Sequence, residues 1–160
     1  MGRKFCIAAQ FVANDLKLAV ENHLKSLGHE VVDLISDEER DTISFTLVAQ
    51  KMAKAITSGE YELGFLFCGS GMGVSQIANK YRGVRAALVE SPFAARQSRI
   101  INNSNVLCMG STLLTPLVAS QCVNEFISHE FLEDEETTTS ARYIRLTDGS
   151  NLTDKIGGEF

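Results

Sequence analysis

Short apolar runs alternate along the chain with longer stretches in which apolar residues recur every three or four positions. Lys4–Ala9 is short and largely apolar, as expected of a strand buried on both faces. Val12, Leu16, Ala19, Val20, His23, Leu24 and Leu27 then fall on one helical face, and Gly28 follows as a C-terminal stop. The alternation repeats. Further strands are predicted at Glu30–Leu34, Leu63–Phe67, Val84–Val89 and Asn105–Cys108. Further helices are predicted at Thr42–Thr57, Val74–Tyr81, Pro92–Ile100 and Thr115–His129. Leu47, Val48, Ala55 and Ile56 mark the apolar side of the second helix, and Leu117, Val118, Cys122 and Phe126 that of the last.

Repeated strand–helix units predict an α/β fold, with a five-stranded parallel sheet sandwiched between helices in three layers. Binding sites in such folds lie beyond the carboxyl ends of the strands. The segments to inspect are therefore 10–14, 34–40, 68–73 and 90–92. After His129 the composition changes to an acidic run, Glu133 to Glu136, followed by threonines. The 160 residues read as one domain, with 133–160 as a C-terminal tail.

Composition narrows the function classes. A formal net charge of −5 speaks against a nucleic-acid partner. Four dispersed cysteines without a CxxC pair, and only three histidines, give no zinc spacing. Reduced thiols point to the cytoplasm. Neither a signal peptide nor an apolar run of membrane-spanning length is present, so no membrane partner is expected.

The strongest local signal is Cys68-Gly69-Ser70-Gly71-Met72-Gly73, between a predicted strand and a predicted helix. Alternate glycines let the backbone approach a ligand closely, and the helix start offers unpaired N–H groups to an anion. No GK[ST] follows, and Val74 stands where a dinucleotide fingerprint needs its third glycine. This disfavours a nucleotide-binding or flavodoxin-like module. A plain tight turn remains the bland alternative. Cys6, Cys108 and Cys122 fit buried packing residues. Cys68 differs in ending a strand beside a helix dipole that favours negative charge, and such a thiolate can act as base or nucleophile.

The segment from Phe67 to Ser111, with Cys-Gly-Ser-Gly, Ala-Asn-Lys, Gly-Val-Arg-Ala-Ala and Asn-Val-Leu at these intervals, resembles the ribose-5-phosphate isomerase B / galactose-6-phosphate isomerase family. The likeness extends from about Lys4 to about Arg145. It implies a Rossmann-like fold, aldose–ketose isomerisation of a phosphorylated sugar, and no metal or organic cofactor. It also implies a homodimer or dimer of dimers with active sites at the subunit interface. Cys68 matches the base that moves a proton between C1 and C2. Ser70, with the amides of Gly69, Gly71 and Gly73, matches the anion hole for the enediolate oxygen. Asn102 matches a substrate-binding asparagine. Arg142 and Arg145 resemble the C-terminal arginines that grip phosphate, three residues apart where four is usual. Arg40 lies in a loop matching one that reaches the ligand.

Two departures bear on the substrate. Gln10-Phe11 replaces the family's Asp-His, and Ile101 replaces the histidine before Asn102. The replaced groups serve ring opening and phosphate contact. Gln10 can still hydrogen-bond substrate, but neither it nor Phe11 or Ile101 transfers protons near neutral pH. The expectation is a preference for open-chain sugars, such as tetrulose phosphates, over ribose 5-phosphate. The stretch from Val12 to Lys17 is closer to a galactose-6-phosphate isomerase subunit than to the pentose enzymes. The alternative is a non-catalytic sugar-phosphate-binding subunit or sensor. Retention of both Cys68 and Ser70 argues for the enzyme.

Overall fold

The computed structural model describes residues 2–132. Five parallel strands, β1 (Lys4–Ala9), β2 (Glu30–Asp33), β3 (Gly64–Cys68), β4 (Ala86–Leu88) and β5 (Val106–Gly110), form one sheet in the order β2-β1-β3-β5-β4. Helices α1 (Asn14–Ser26), α2 (Phe45–Thr57), α3 (Met72–Ala78), α4 (Pro92–Ile100) and α5 (Pro116–Ser128) cover both faces. One core joins Phe5, Ile7, Phe65, Phe67 and Leu107 to α1, α4 and α5. The other joins Cys6, Ala8, Leu66, Cys68 and Cys108 to α2 and α3. The strands alternate between these cores because successive side chains point to opposite faces, and both faces are covered. This is the expected three-layer α/β sandwich.

The chain leaves β1 toward β2 on one side and returns through β3 on the other. The sheet order therefore has its topological switch point between β1 and β3, where a crevice opens at the carboxyl edge. Ala9 pairs with Phe67, which places Gln10 beside Cys68 on one flank. Cys68 pairs with Gly110 on the other.

Several predicted boundaries and faces shift. The last strand runs on to Gly110, since a Cβ there would stand 2.6 Å from the Ser70 carbonyl carbon; glycine here admits a neighbouring backbone and does not stop the strand. Helix α3 begins at Met72 because Gly71 caps it in the left-handed region at φ 76°. Val12 and Leu27 lie outside α1, and Leu47 and Leu117 sit in the first turns of α2 and α5; all four are exposed. Their apolar spacing continues past the point where helix meets sheet.

Lys17 is the reverse case, 1% exposed at the end of the first turn of α1. Its amine donates to Asp33 at 2.6 Å and to Glu21 at 3.1 Å, so the buried cation is paired on two sides. Asn79 is a structural residue. Its amide donates to the Ala86 carbonyl and accepts the Ala86 N–H, both at 2.8 Å, closing the edge strand β4 as a further strand would.

Candidate active site

Strand β3 is buried throughout and delivers Cys68 to the crevice with 6% of its surface exposed. The turn that follows is held from three directions. The Gly71 N–H donates to the Cys68 sulfur at 3.1 Å. The Met72 N–H donates to the Ser70 hydroxyl oxygen at 3.3 Å, which fixes the first turn of α3 and leaves that hydroxyl's proton available. The loop after β5 takes the two carbonyls: the Ser111 N–H donates to Cys68 O and the Thr112 N–H to Gly69 O, both at 3.0 Å.

These contacts divide the expected anion hole by function. The Gly71 amide faces the sulfur. The Gly69 and Ser70 amides have no acceptor among the described residues, and Gly73 lies in the first turn of α3, where intrahelical acceptors are lacking. The Cys68 sulfur thus accepts a hydrogen bond from one amide of the turn, while the two amides before it stay free to meet an anion.

The other three cysteines are packing residues. Burial pushes the Cys6 thiol up to about 12 and Cys122 up to about 11, and lifts Cys108 as well. None has a glycine turn and a helix start beside its sulfur.

The walls are apolar. Val12 Cγ2 lies 3.8 Å from where a Cβ on Gly69 would stand, and the Phe45 ring lies 2.9 Å from the corresponding point on Gly73. Val12 borders the Cys68 turn, and Phe11 beside it is exposed in the short 3-10 turn Phe11–Ala13. Neither Val12 nor Phe45 was read as a wall of the site, because Val12 fits the apolar face of the first predicted helix and Phe45 falls inside the second. Ser111 and Thr112 escaped the sequence reading too, although a Gly-Ser-Thr step leaving a strand at the ligand edge was a usable signal.

Arg40 is committed to its own chain. Its guanidinium donates to Asp33 at 3.0 Å, Asn14 at 3.1 Å, the Ile35 carbonyl at 3.3 Å, and Asp37 at 2.8 and 3.3 Å. All five N–H donors are used, so Arg40 serves here as a strut between the loops after β1 and β2. A substrate contact would require it to release one of them.

Asn102 is not brought to Cys68 within one chain. Helix α4 runs back from the carboxyl edge, so residues 101–105 lie at the amino edge. There Arg85 Nε donates to the Asn103 carbonyl at 2.6 Å, and Asn105 accepts the Arg85 N–H at 2.8 Å. The five-residue span of β3, about 16 Å, separates that edge from Cys68. Arg142 and Arg145 lie outside the described residues.

A model of the ribose/galactose isomerase family matches residues 5–144. The chain belongs to that family. It is 36% identical over 121 residues to the 4-deoxy-4-sulfo-D-erythrose isomerase of Clostridium sp. (strain MSTE9), covering 76% of each chain. It is 32% identical over 125 residues to the D-erythrulose-4-phosphate isomerase of Pectobacterium atrosepticum, covering 78% of this chain and 82% of the relative. Its fold superposes on the ribose 5-phosphate isomerase of Thermotoga maritima with a TM-score of 0.83 at 36% identity, over 91% of this chain and 97% of the other. The isomerase is thus a Rossmann-like α/β enzyme of the aldose–ketose class.

Proposed function

We propose that this isomerase interconverts the aldose and ketose forms of a four-carbon sugar phosphate in its open-chain form, within a site completed by a second copy of the chain. Cys68, as thiolate, removes the proton at C2 of the aldose. The electron pair moves toward C1 and the carbonyl oxygen takes the charge, forming a cis-enediolate. The Gly69 and Ser70 amides and the Ser70 hydroxyl stabilise that oxygen. The proton returns at C1, the hydroxyl proton passes from O2 to O1, and the ketose is released. Arg142 and Arg145 are assigned the phosphate on their likeness to the family's C-terminal arginines.

The observation that carries the substrate reading is the pair of positions flanking Cys68. Gln10 and Gly110 hold them, and neither side chain exchanges protons. A site without a proton carrier beside its base opens a sugar ring poorly. A tetrose blocked at its terminal hydroxyl by phosphate forms no stable furanose and needs no opening. Two relatives named for four-carbon substrates support the same reading. Asn102 belongs to the neighbour's site, since its own Cys68 lies a strand's length away. The test is kcat/KM on the purified chain for D-erythrose 4-phosphate against D-ribose 5-phosphate. The tetrose is expected to win, and equal or faster turnover of the pentose overturns the reading.

A further inference from the structure

We propose that Thr112 is a positioning residue that aims the Ser70 amide into the active-site crevice. Gly69 O accepts two hydrogen bonds from this one residue, from the Thr112 N–H at 3.0 Å and from its hydroxyl at 2.7 Å. The peptide unit is planar and trans, so its N–H points opposite to its C=O. With the Gly69 carbonyl drawn toward the loop after β5, the Ser70 N–H is turned toward β1 and the crevice at the switch point.

The preceding peptide repeats the arrangement. Cys68 O accepts the Ser111 N–H, so the Gly69 N–H faces the same way. Ser111 is anchored in turn, its hydroxyl donating to Val12 O at 3.0 Å. Gly110 lets the two loops meet, because any Cβ there would collide with the Ser70 backbone. The Thr112 side chain is exposed and fills no core, so its hydroxyl acts on the Gly69 carbonyl and little else. A donor array fixed before charge develops stabilises the transition state more than the ground state.

This inference rests on the enediolate reading above, and the experiment separates the two. Thr112→Val keeps the backbone N–H and removes the hydroxyl; Thr112→Ser restores it. Thr112→Ala takes the place of the valine variant should valine disturb the fold. Each full-length variant is assayed for kcat and KM on D-erythrose 4-phosphate. Each is also tested for binding of 3-phospho-D-glycerohydroxamate, a planar mimic whose nitrogen and three carbons match the four-carbon enediolate, and of erythritol 4-phosphate, which has no carbonyl. The expected result for Thr112→Val is a fall in kcat of about tenfold, roughly one hydrogen bond's worth, with KM within about twofold. Hydroxamate binding should weaken by the same factor, polyol binding should not change, and serine should restore both. Unchanged kcat, equal weakening of both inhibitors, or failure of serine to rescue overturns the role of Thr112. If the wild-type chain binds the hydroxamate no more tightly than the polyol, the enediolate reading itself fails and takes this role with it.

Discussion

The Gly71 N–H stands 3.1 Å from the Cys68 sulfur, a contact the chain makes by turning Gly71 into the left-handed region at φ 76°. One glycine thereby ends the strand–helix turn and holds the Cys68 sulfur. A Cβ at position 71 would meet Leu88 Cδ1 at 2.6 Å and the Met109 carbonyl carbon at 3.0 Å. Gly71→Ala is therefore expected to lose about 1–3 kcal/mol of stability from backbone strain and crowding. It should also lose turnover by about 10²-fold or more at temperatures where it is folded, because the sulfur's donor moves. Thermal melts alongside kcat check this. A folded Gly71→Ala enzyme with wild-type kcat would show that the contact has no part in the reaction.

The separation of Asn102 from Cys68 leads to a prediction about assembly. If each site takes Cys68 from one copy and Asn102 from another, Cys68→Ala and Asn102→Ala chains are each inactive alone and rescue each other when mixed. Random exchange between two-fold dimers should return about a quarter of wild-type activity, because half the dimers are mixed and each carries one intact site. Absence of recovery, with subunit exchange verified by mass, would place Asn102 outside the site.

Acid stability reports on the paired charges beside α1. Burial pushes the Glu21 carboxyl up, but hydrogen bonds from Lys25 and Lys17 outweigh it and hold it below its ordinary 4.5. A folded-state value below the unfolded one means the contribution is full above the unfolded value and is lost as pH falls through the folded value. Glu21→Gln should therefore be less stable than wild type at neutral pH, and the gap in melting temperature should close on acidification below about pH 5. A gap that stays constant across that range would contradict the assignment.

The frame of the fold was legible because its signals are periodic. Lys4–Ala9 and Pro92–Ile100 occupy the predicted ranges, and glycine at 28 and 59 follows α1 and α2 as read. The Cys68–Gly73 turn was legible because alternate glycines between a strand and a helix have few other uses. What escaped depends on partners remote in sequence. Nothing in the local sequence marks Lys17 as buried, because its partner Asp33 lies sixteen residues on. That Arg40 is held by Asp33, Asp37, Asn14 and the Ile35 carbonyl could not be read from its place in a ligand-edge loop. Thr112 acquires meaning only when Gly69, forty-three residues earlier, presents its carbonyl. Asn102 shows the same limit, for only the fold reveals that it lies at the opposite edge of the sheet from Cys68.

The proton path through Cys68 is tested most directly by isomerising D-erythrose 4-phosphate in deuterium oxide and locating the label in the product. Transfer through an enediolate with Cys68 as base predicts deuterium at C1 of the erythrulose 4-phosphate formed, and no labelling above background with Cys68→Ala. Product that keeps the substrate's C2 hydrogen in full at C1, the mark of a direct hydride shift, or undiminished labelling by Cys68→Ala, would contradict it.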